Sequence, residues 1–408
     1  MKFSVLLPTR NRLELLKYAV QSVFDQDYQN WEIVVSDNAS EEDVAGYVQS
    51  LCDERVKYIR SDTLLPVTDN WNCALDASSG EYFIMLGDDD CLLGGYLSVV
   101  AGLLREFEKP ELIYTQAIQY AYPNVIPGIS EGFTQFGYCE FLNGEDEPFF
   151  LSRNAAMSVV KKALCFKIAY SYNMQHSVVS RQAVNRLKEN GPFFQSPYPD
   201  YYATNALLLT SKRVLVCPWP LVGIGISPKS FGYFYFNNRE NEGVDFLRNV
   251  ADPKILAGVE DKILPGTNMN TSWLLAMESL KKNFPDEIPV DIAYGRYRFM
   301  QLGEMLRGDS PYRAILQKLK PDVYALEWVF WNLMVAVDWL GCALLPTRIW
   351  RRLRHILLSS LHRSHPENFD NRKRTVGYTN LLDLSRAESG IRVIPASWVE
   401  RLKLEDQS

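Results

Sequence analysis

The sequence predicts an α/β fold, a mostly parallel sheet flanked by helices. Three observations carry this. Apolar runs of strand length alternate with helix-periodic stretches through residues 3–93. Each run is stopped by proline, glycine or a short polar cluster. Three adjacent carboxylates follow one of the runs, at the edge where such sheets bind ligands.

Residues 3–7 are a short apolar run that Pro8 is expected to end, a buried strand. Leu13, Leu16, Ala19, Val20 and Val23 fall at helical spacing over 13–24. Residues 32–35 read as a second strand, stopped by Ser36-Asp37-Asn38, and 44–51 as a short helix. Residues 56–59 are a third strand, 69–77 a helix stopped near Gly80, and 82–86 a fourth strand stopped at Gly87. Pro8-Thr9-Arg10, Asp37 and Asp88-Asp89-Asp90 thus follow the first, second and fourth strands, and this topology gathers them in one crevice. Further on the pattern is mixed and aromatic-rich, with a strand over 177–180 and helices over 181–190 and 201–209; 244–319 is mostly helical.

A length of 408 residues exceeds one ordinary domain, and 47% hydrophobic content supports a real core. The net charge of −6 offers no basic excess, which argues against nucleic acid as a partner. The seven cysteines include no C-x-x-C pair and the four histidines no H-E-x-x-H arrangement. Neither zinc nor a disulfide framework is indicated, and a reducing compartment fits. The first apolar run is too short for a signal peptide, so a cytoplasmic location is expected.

Asp88-Asp89-Asp90 is the most informative stretch. Three adjacent carboxylates repel one another unless something positive neutralises them. Mg2+ or Mn2+ does so, taking carboxylate and diphosphate oxygens together, and it stabilises charge on a departing diphosphate. The competing reading is a solvated acidic turn or a helix cap. Asp37 could accept the imide N–H of a uracil or thymine ring; its competing reading is a turn-forming residue in Ser36-Asp37-Asn38-Ala39-Ser40.

The wider pattern is Pro8-Thr9-x-Asn11-Arg12, Leu16, Ala19, Ser22, Val23, Gln26, Tyr28, Glu32-Ile33-Val34-Val35 and Ser36-Asp37-Asn38-x-Ser40. It continues with Asn70-Trp71-Asn72-x-Ala74-Leu75 and Gly80-Glu81-Tyr82-Phe83-x-x-Leu86-Gly87-Asp88-Asp89-Asp90. Spanning nearly all of 3–93, it resembles the family 2 glycosyltransferases of the GT-A fold, a Rossmann-like class. The resemblance implies an inverting transfer from a nucleotide-diphosphate sugar, UDP- or dTDP-sugar favoured, with Mn2+ or Mg2+ as cofactor. Pro8, Thr9, Arg10, Arg12 and Asn72 would bind the nucleotide-sugar, Asp37 would read the base and Asp88 would sit near the ribose. Asp89 would hold the metal with Asp90 beside it. One position departs: Gly87 stands where the family's D-x-D motif begins, which leaves open whether Asp88 or Asp90 assists Asp89.

In that family a carboxylate at the start of a helix in the second half of the domain takes the acceptor's proton. Pro197-Tyr198-Pro199-Asp200-Tyr201-Tyr202 is similar to that site, approached by His176-Ser177-x-Val179-x-Arg181-x-Ala183 and Gly191-x-Phe193. Pro199-Asp200 replaces the frequent Glu-Asp. Asp200 is therefore assigned as general base, against the alternative of a helix cap. His176, Tyr198 and Trp219 are candidates for the acceptor pocket. His176 reads equally as a structural histidine, and Trp219 as core. Asp146 is a minor candidate in an acidic loop; Lys229 and Arg239 could bind phosphate.

The resemblance divides the chain into a GT-A domain over 1–225, with a nucleotide-binding half 1–93 and an acceptor half 94–225. A helical extension over 226–325 and an apolar and basic segment over 326–408 follow. The implied acceptor is a glycan or lipid-linked glycan of a bacterial surface. Residues 326–345 nearly reach a bilayer span, but Asp338 and Asn332 oppose insertion. Over 348–363, Ile349, Trp350, Leu353, Ile356, Leu357 and Leu361 share one helical face, and Arg348, Arg351, Arg352 and His355 mainly occupy the other. Two readings stand: peripheral contact with the inner face of the plasma membrane, or a helix packed on the catalytic domain. A metal-dependent nucleotidyltransferase is disfavoured because residues 8–12 lack the glycines of a phosphate loop, and an oxidoreductase because no G-x-G-x-x-G follows the first strand. A non-catalytic carbohydrate-binding relative is opposed by intact Asp37, Asp88, Asp89 and Asp200.

Overall fold

β1 (Phe3–Thr9) is buried along its whole length. Strands covered on both faces read as continuous apolar runs, and β1 divides its side chains accordingly: Val5 and Leu7 enter one core, Leu6 the other. The structure is a computed structural model and describes residues 1–126, 130–142, 144–237, 256–288, 290–307, 325–346, 349–350, 353, 374–388 and 394–404. β2 (Trp31–Asn38), β3 (Val56–Ser61) and β4 (Tyr82–Met85) run parallel to β1 in the order β4-β1-β2-β3. The chain therefore changes direction across the sheet at β1. Ligands of such sheets bind beyond the carboxyl ends of the strands at that switch.

Helices cover both faces. α1 (Leu13–Phe24), α2 (Val44–Ser50) and α4 (Tyr96–Glu106) lie over the Val5 side; α3 (Val67–Asp76), α5 (Arg153–Leu164), α6 (Arg181–Lys188) and α7 (Pro199–Thr210) lie over the Leu6 side. β9 (Ser177–Ser180) pairs antiparallel with β4, β6 (Leu112–Ala121) antiparallel with β9, and β10 (Val214–Ile226) parallel with β6. Two reversals restore the direction of β4, so β10 ends at the same edge as β1 and β4. β5 (Asp90–Leu92) and β8 (Phe149–Phe150) pair antiparallel with β10, and β7 (Phe133–Phe136) with β6.

The expected α/β class holds, while several boundaries shift: β2 runs on through Ser36-Asp37-Asn38, which was expected to stop it, because it stays paired with β1 and β3 to that end. β1 runs through Pro8. The Leu6 carbonyl faces β4 and accepts the Leu86 N–H at 2.9 Å. Two residues on, the edge of Pro8 that lacks an N–H faces the flank that β4 has already left, so no ladder bond is lost. α7 begins at Pro199, because proline at the first helical position has a suitable φ and no N–H to leave unpaired.

After the short α8 (Phe231–Phe236), α9 (Asn268–Asn283) and α10 (Tyr294–Arg307) join the core over the Leu6 side through Trp273, Leu274, Met277 and Tyr297. The helical extension and the sheet therefore share one apolar interior. α11 (Ala325–Leu344) packs on α10 through Phe299 and Trp331, ring centroids 5.3 Å apart. Among the described residues, no helix is long and apolar enough to cross a membrane. Of the basic stretch only Ile349, Trp350 and Leu353 are described; Arg348, Arg351, Arg352, His355, Ile356, Leu357 and Leu361 lie outside the described residues, as does Arg239.

Residues 374–388 and 394–404 then return to the sheet. β11 (Arg374–Thr375) pairs with β7, α12 (Leu381–Ala387) packs on α1 and β5, and α13 (Ala396–Leu402) packs on α4. Ser385 donates its hydroxyl to the Leu92 carbonyl at 2.6 Å, and Trp398 stacks on Phe107 at 6.0 Å. This part of the segment 326–408 is built into the layer that covers the first strands.

Candidate active site

The residues just past β1, β4 and β10 form a closed set of contacts. Thr9 donates its hydroxyl to Asp88 Oδ2 at 2.8 Å. Arg12, capping α1, donates Nη1 to Asp88 Oδ1 at 2.9 Å and stands 3.6 Å from Asp89 Oδ2; its Nη2 donates to the Lys229 carbonyl. Burial pushes the Asp88 carboxyl above its ordinary value, and Arg12 opposes that rise. Asp88 is thus held on both oxygens. Asp89 reaches outward: its side chain is 14% exposed against 4% for Asp88, and its Oδ2 accepts the Ser230 hydroxyl.

Asp90, expected as a second metal ligand, turns inward instead. Its Oδ1 accepts the Gly225 N–H at 3.0 Å; its Oδ2 accepts the Gly87 N–H at 3.0 Å and Gln175 Nε2 at 2.7 Å. The cause is β5, which starts at Asp90 and draws the residue under β10. Asp90 therefore braces the turn. The approach of β10 is so close that a Cβ on Gly225 would lie 2.0 Å from the Asp89 carbonyl oxygen. Gly225→Ala should displace the Asp89 backbone, cost about 1–3 kcal/mol as overpacking does, and weaken donor binding. A thermal melt and a donor titration check this; a variant with the parent's midpoint and affinity would show that the turn yields.

Among the described residues no group of three His, Cys, Asp or Glu side chains could hold a metal ion. The turn instead offers one outward carboxylate, Asp89, beside a guanidinium. That set fits a hard cation of the Mg2+ type, which takes one or two carboxylates and completes its shell with phosphate oxygens and water.

Asp37 is fully buried. Its Oδ1 accepts the Ser40 N–H at 2.9 Å, the turn contact weighed from sequence, while Oδ2 accepts the Tyr58 hydroxyl at 2.7 Å and pairs with Arg60. Burial alone would raise this carboxyl; the hydrogen bonds from Ser40, Tyr58 and Arg60 prevail and hold it below its ordinary value. Arg10 follows β1 at this edge and is partly exposed, while Pro8 is buried inside the strand. Asn72, expected in donor binding, is committed elsewhere. Its Oδ1 accepts the Phe194 N–H at 3.1 Å and its Nδ2 donates to the Phe194 carbonyl at 2.9 Å. The helical register of α3 aims it at that segment.

Tyr198 occupies the cap position of α7, so Asp200 lies inside the first turn and is no cap. Asp200 Oδ1 accepts the Met174 N–H at 2.6 Å, and burial pushes its carboxyl up to about 7. The same short turn, Met174–His176, carries Gln175, which reaches Asp90. It therefore ties Asp200 to the carboxylate turn. Burial raises the Tyr198 hydroxyl, with Asp200, Asp89 and Asp90 adding to the rise, so this ring lies within electrostatic reach of both carboxylate groups.

Two acceptor candidates are structural. His176 is fully buried, stacks on Tyr114 at 4.9 Å and has Nδ1 2.8 Å from the Thr115 carbonyl; burial pulls it down to about 4, so it is neutral at pH 7. Trp219 is corrected outright. Its indole sits in the core over the Val5 side against Trp398, centroids 5.6 Å apart, and donates Nε1 to the Asp146 carbonyl at 3.0 Å. Lys229 donates Nζ to the Asn11 carbonyl at 2.8 Å. Sequence reasoning passed over Arg60, Gln175 and Ser230. Arg60 is the register partner of Asp37 across β2 and β3, and Ser230 follows the apolar run that becomes β10. Both signals needed the strand pairing first.

The sheet order, its switch at β1 and the carboxylate turn define an α/β fold of the nucleotide-binding class. Residues 4–143 match the family described as Glycosyl transferase family 2. The GalNAc(5)-diNAcBac-PP-undecaprenol beta-1,3-glucosyltransferase of Campylobacter jejuni subsp. jejuni serotype O:2 is 42% identical over 102 residues, 24% of this chain and 33% of that protein. The UDP-Glc:alpha-D-GlcNAc-diphosphoundecaprenol beta-1,3-glucosyltransferase WfgD of Escherichia coli is 22% identical over 241 residues, 52% of this chain and 94% of that one. The chain thus matches about a third of the length of the first relative and nearly all of the second. The crystal structure of S. aureus TarS 1-349 in complex with UDP-GlcNAc is similar over 93% of this chain and 97% of that chain, at 15% identity and a TM-score of 0.49.

Proposed function

We propose that the protein is an inverting, metal-dependent glycosyltransferase. It moves a sugar from a nucleotide-diphosphate sugar, UDP- or dTDP-linked, to a hydroxyl of a glycan or lipid-linked glycan in bacterial surface polysaccharide synthesis. The observation that carries this reading is Asp200, a buried carboxyl raised to about 7 and tied through Met174–His176 to the carboxylate turn. A base poised near neutral pH suits the removal of a proton from a hydroxyl. Both relatives described above have undecaprenol in their names, which supports a lipid-linked acceptor.

In the proposed reaction the acceptor oxygen attacks the anomeric carbon on the face away from the diphosphate. Its proton passes to Asp200. The carbon–oxygen bond to the diphosphate breaks, the electron pair leaves with the diphosphate, and attack from the rear inverts the centre. Arg12 keeps positive charge beside the diphosphate, while Thr9 and Arg12 fix Asp88 against the ribose. Asp37 and Arg60 form the base-facing pair. Asp89 would hold Mn2+ or Mg2+, which supplies charge neutralisation to the leaving diphosphate. The reading keeps 1–225 as the catalytic domain and places the enzyme at the cytoplasmic face of the membrane that carries the acceptor.

The test is release of nucleoside diphosphate from a panel of UDP- and dTDP-sugars with Mn2+ and lipid-linked glycans. No release from any donor, with acceptor present, rejects the reading. The pH profile is a second check. Asp200 works as a base only when deprotonated, so kcat/KM should rise with pH and level off above about 7. A flat profile through that region would place the base elsewhere.

A further inference from the structure

α11 has two faces of opposite chemistry. Trp331, Val335 and Asp338 point inward, 2%, 9% and 8% exposed. Leu326, Val329, Leu333, Val337, Leu340 and Leu344 recur at spacings of three and four and form one outward stripe, from 37% to 85% exposed. Trp339 flanks it at 59%. From 328 to 346 the one charged residue is Asp338, and the fold hides it: Trp350 donates Nε1 to Asp338 Oδ1 at 2.9 Å. Gly341 makes room, since a Cβ there would lie 2.3 Å from the Trp350 ring. Over 328–344 the helix conceals its one acid and displays its hydrocarbon, the reverse of what water selects.

The adjoining sequence says what covers the stripe. Between Asp338 and Glu367 there is no acidic residue, while Arg348, Arg351, Arg352, Arg354 and Arg363 all occur. An uncharged apolar face followed by a cationic stretch matches an anionic lipid surface, where hydrocarbon enters the headgroup boundary and arginines meet phosphates. A second copy of the chain would bring the same positively charged stretch and be repelled by it. We propose that α11 lies in the plane of an anionic membrane surface with its Leu333–Leu340 stripe embedded, the positive charge of the sequence that follows adding attraction to anionic lipid. This attachment is independent of sugar transfer, and its test reads binding alone.

The full chain is sedimented with vesicles of phosphatidylcholine, and with vesicles of phosphatidylcholine containing phosphatidylglycerol. Binding to the anionic vesicles should be stronger by about tenfold or more and should weaken with salt. Leu333→Glu with Leu340→Glu should lower it by about tenfold or more while the thermal midpoint stays put, because both side chains are exposed. Arg351→Glu with Arg352→Glu should also lower it. The proposal is overturned if the parent ignores both vesicle types, or if the leucine double variant binds as the parent does. It is equally overturned if the parent forms a dimer that the leucine variant dissolves while binding no vesicle.

Discussion

Asp200→Asn should bind the donor normally and lose turnover by about 10²–10⁴-fold. The substitution keeps the volume, and its carbonyl oxygen can still accept the Met174 N–H that Asp200 Oδ1 accepts at 2.6 Å. The start of α7 and the Met174–His176 turn therefore stay in place. What disappears is the capacity to take a proton. Single-turnover rates and a donor titration separate the two effects, and a variant that transfers at the parent's rate removes Asp200 from the mechanism. Stability supplies an independent readout. The folded carboxyl sits near 7, above its unfolded value, so its contribution is present at acid pH and is lost as pH rises through about 7. An asparagine has no such dependence. At alkaline pH the variant should outlast the parent thermally, by roughly a few kcal/mol, since each tenfold change in a group's proton affinity on folding is worth about 1.4 kcal/mol. An inactive variant that is more stable is the pattern expected of a functional group held at a structural cost.

Asp89→Ala should abolish the metal dependence of donor binding and lower turnover by about 10²–10³-fold. The size of the effect follows from what the neighbours cannot do. Asp88 is held by Thr9 and Arg12, and Asp90 by Gly225, Gly87 and Gln175, so neither can rotate into the vacated position without leaving a buried donor unpaired. Donor affinity is compared with Mn2+ and with a chelator. The parent should lose affinity in the chelator, and the variant should bind equally weakly in both. A variant that binds donor in Mn2+ as tightly as the parent would exclude Asp89 as the metal-holding carboxylate.

What could be read in advance was whatever the chain decides locally. The helix at 13–24 and the strand at 177–180 appear with the bounds that periodicity set for them. The crevice was legible because strand ends, polar stops and a βα alternation leave few topologies. Residues whose meaning depends on a distant strand were not legible. The turn of Asp90 is decided by Gly225 in β10, and the pairing of Asp37 by Arg60 in β3. Asn72 shows the converse: it stands in a motif that reads as donor binding, and a segment over a hundred residues away claims both ends of its amide. Trp219 stands in β10 and enters the core over the Val5 side, and no local pattern encodes which face of the sheet a strand residue takes.

Residues 381–404 bear on how the protein must be made. Leu402 fits against Gly102, Arg105 donates to the Leu402 carbonyl at 3.2 Å, and Arg386 pairs with Asp25 at 3.0 Å. The layer over β1 and β4 thus lacks part of its cover until a stretch synthesised far later has left the ribosome. Nascent chains should wait with that surface bare, a natural substrate for chaperones, and a gene cut before codon 381 should yield aggregates where a minimal enzyme was intended.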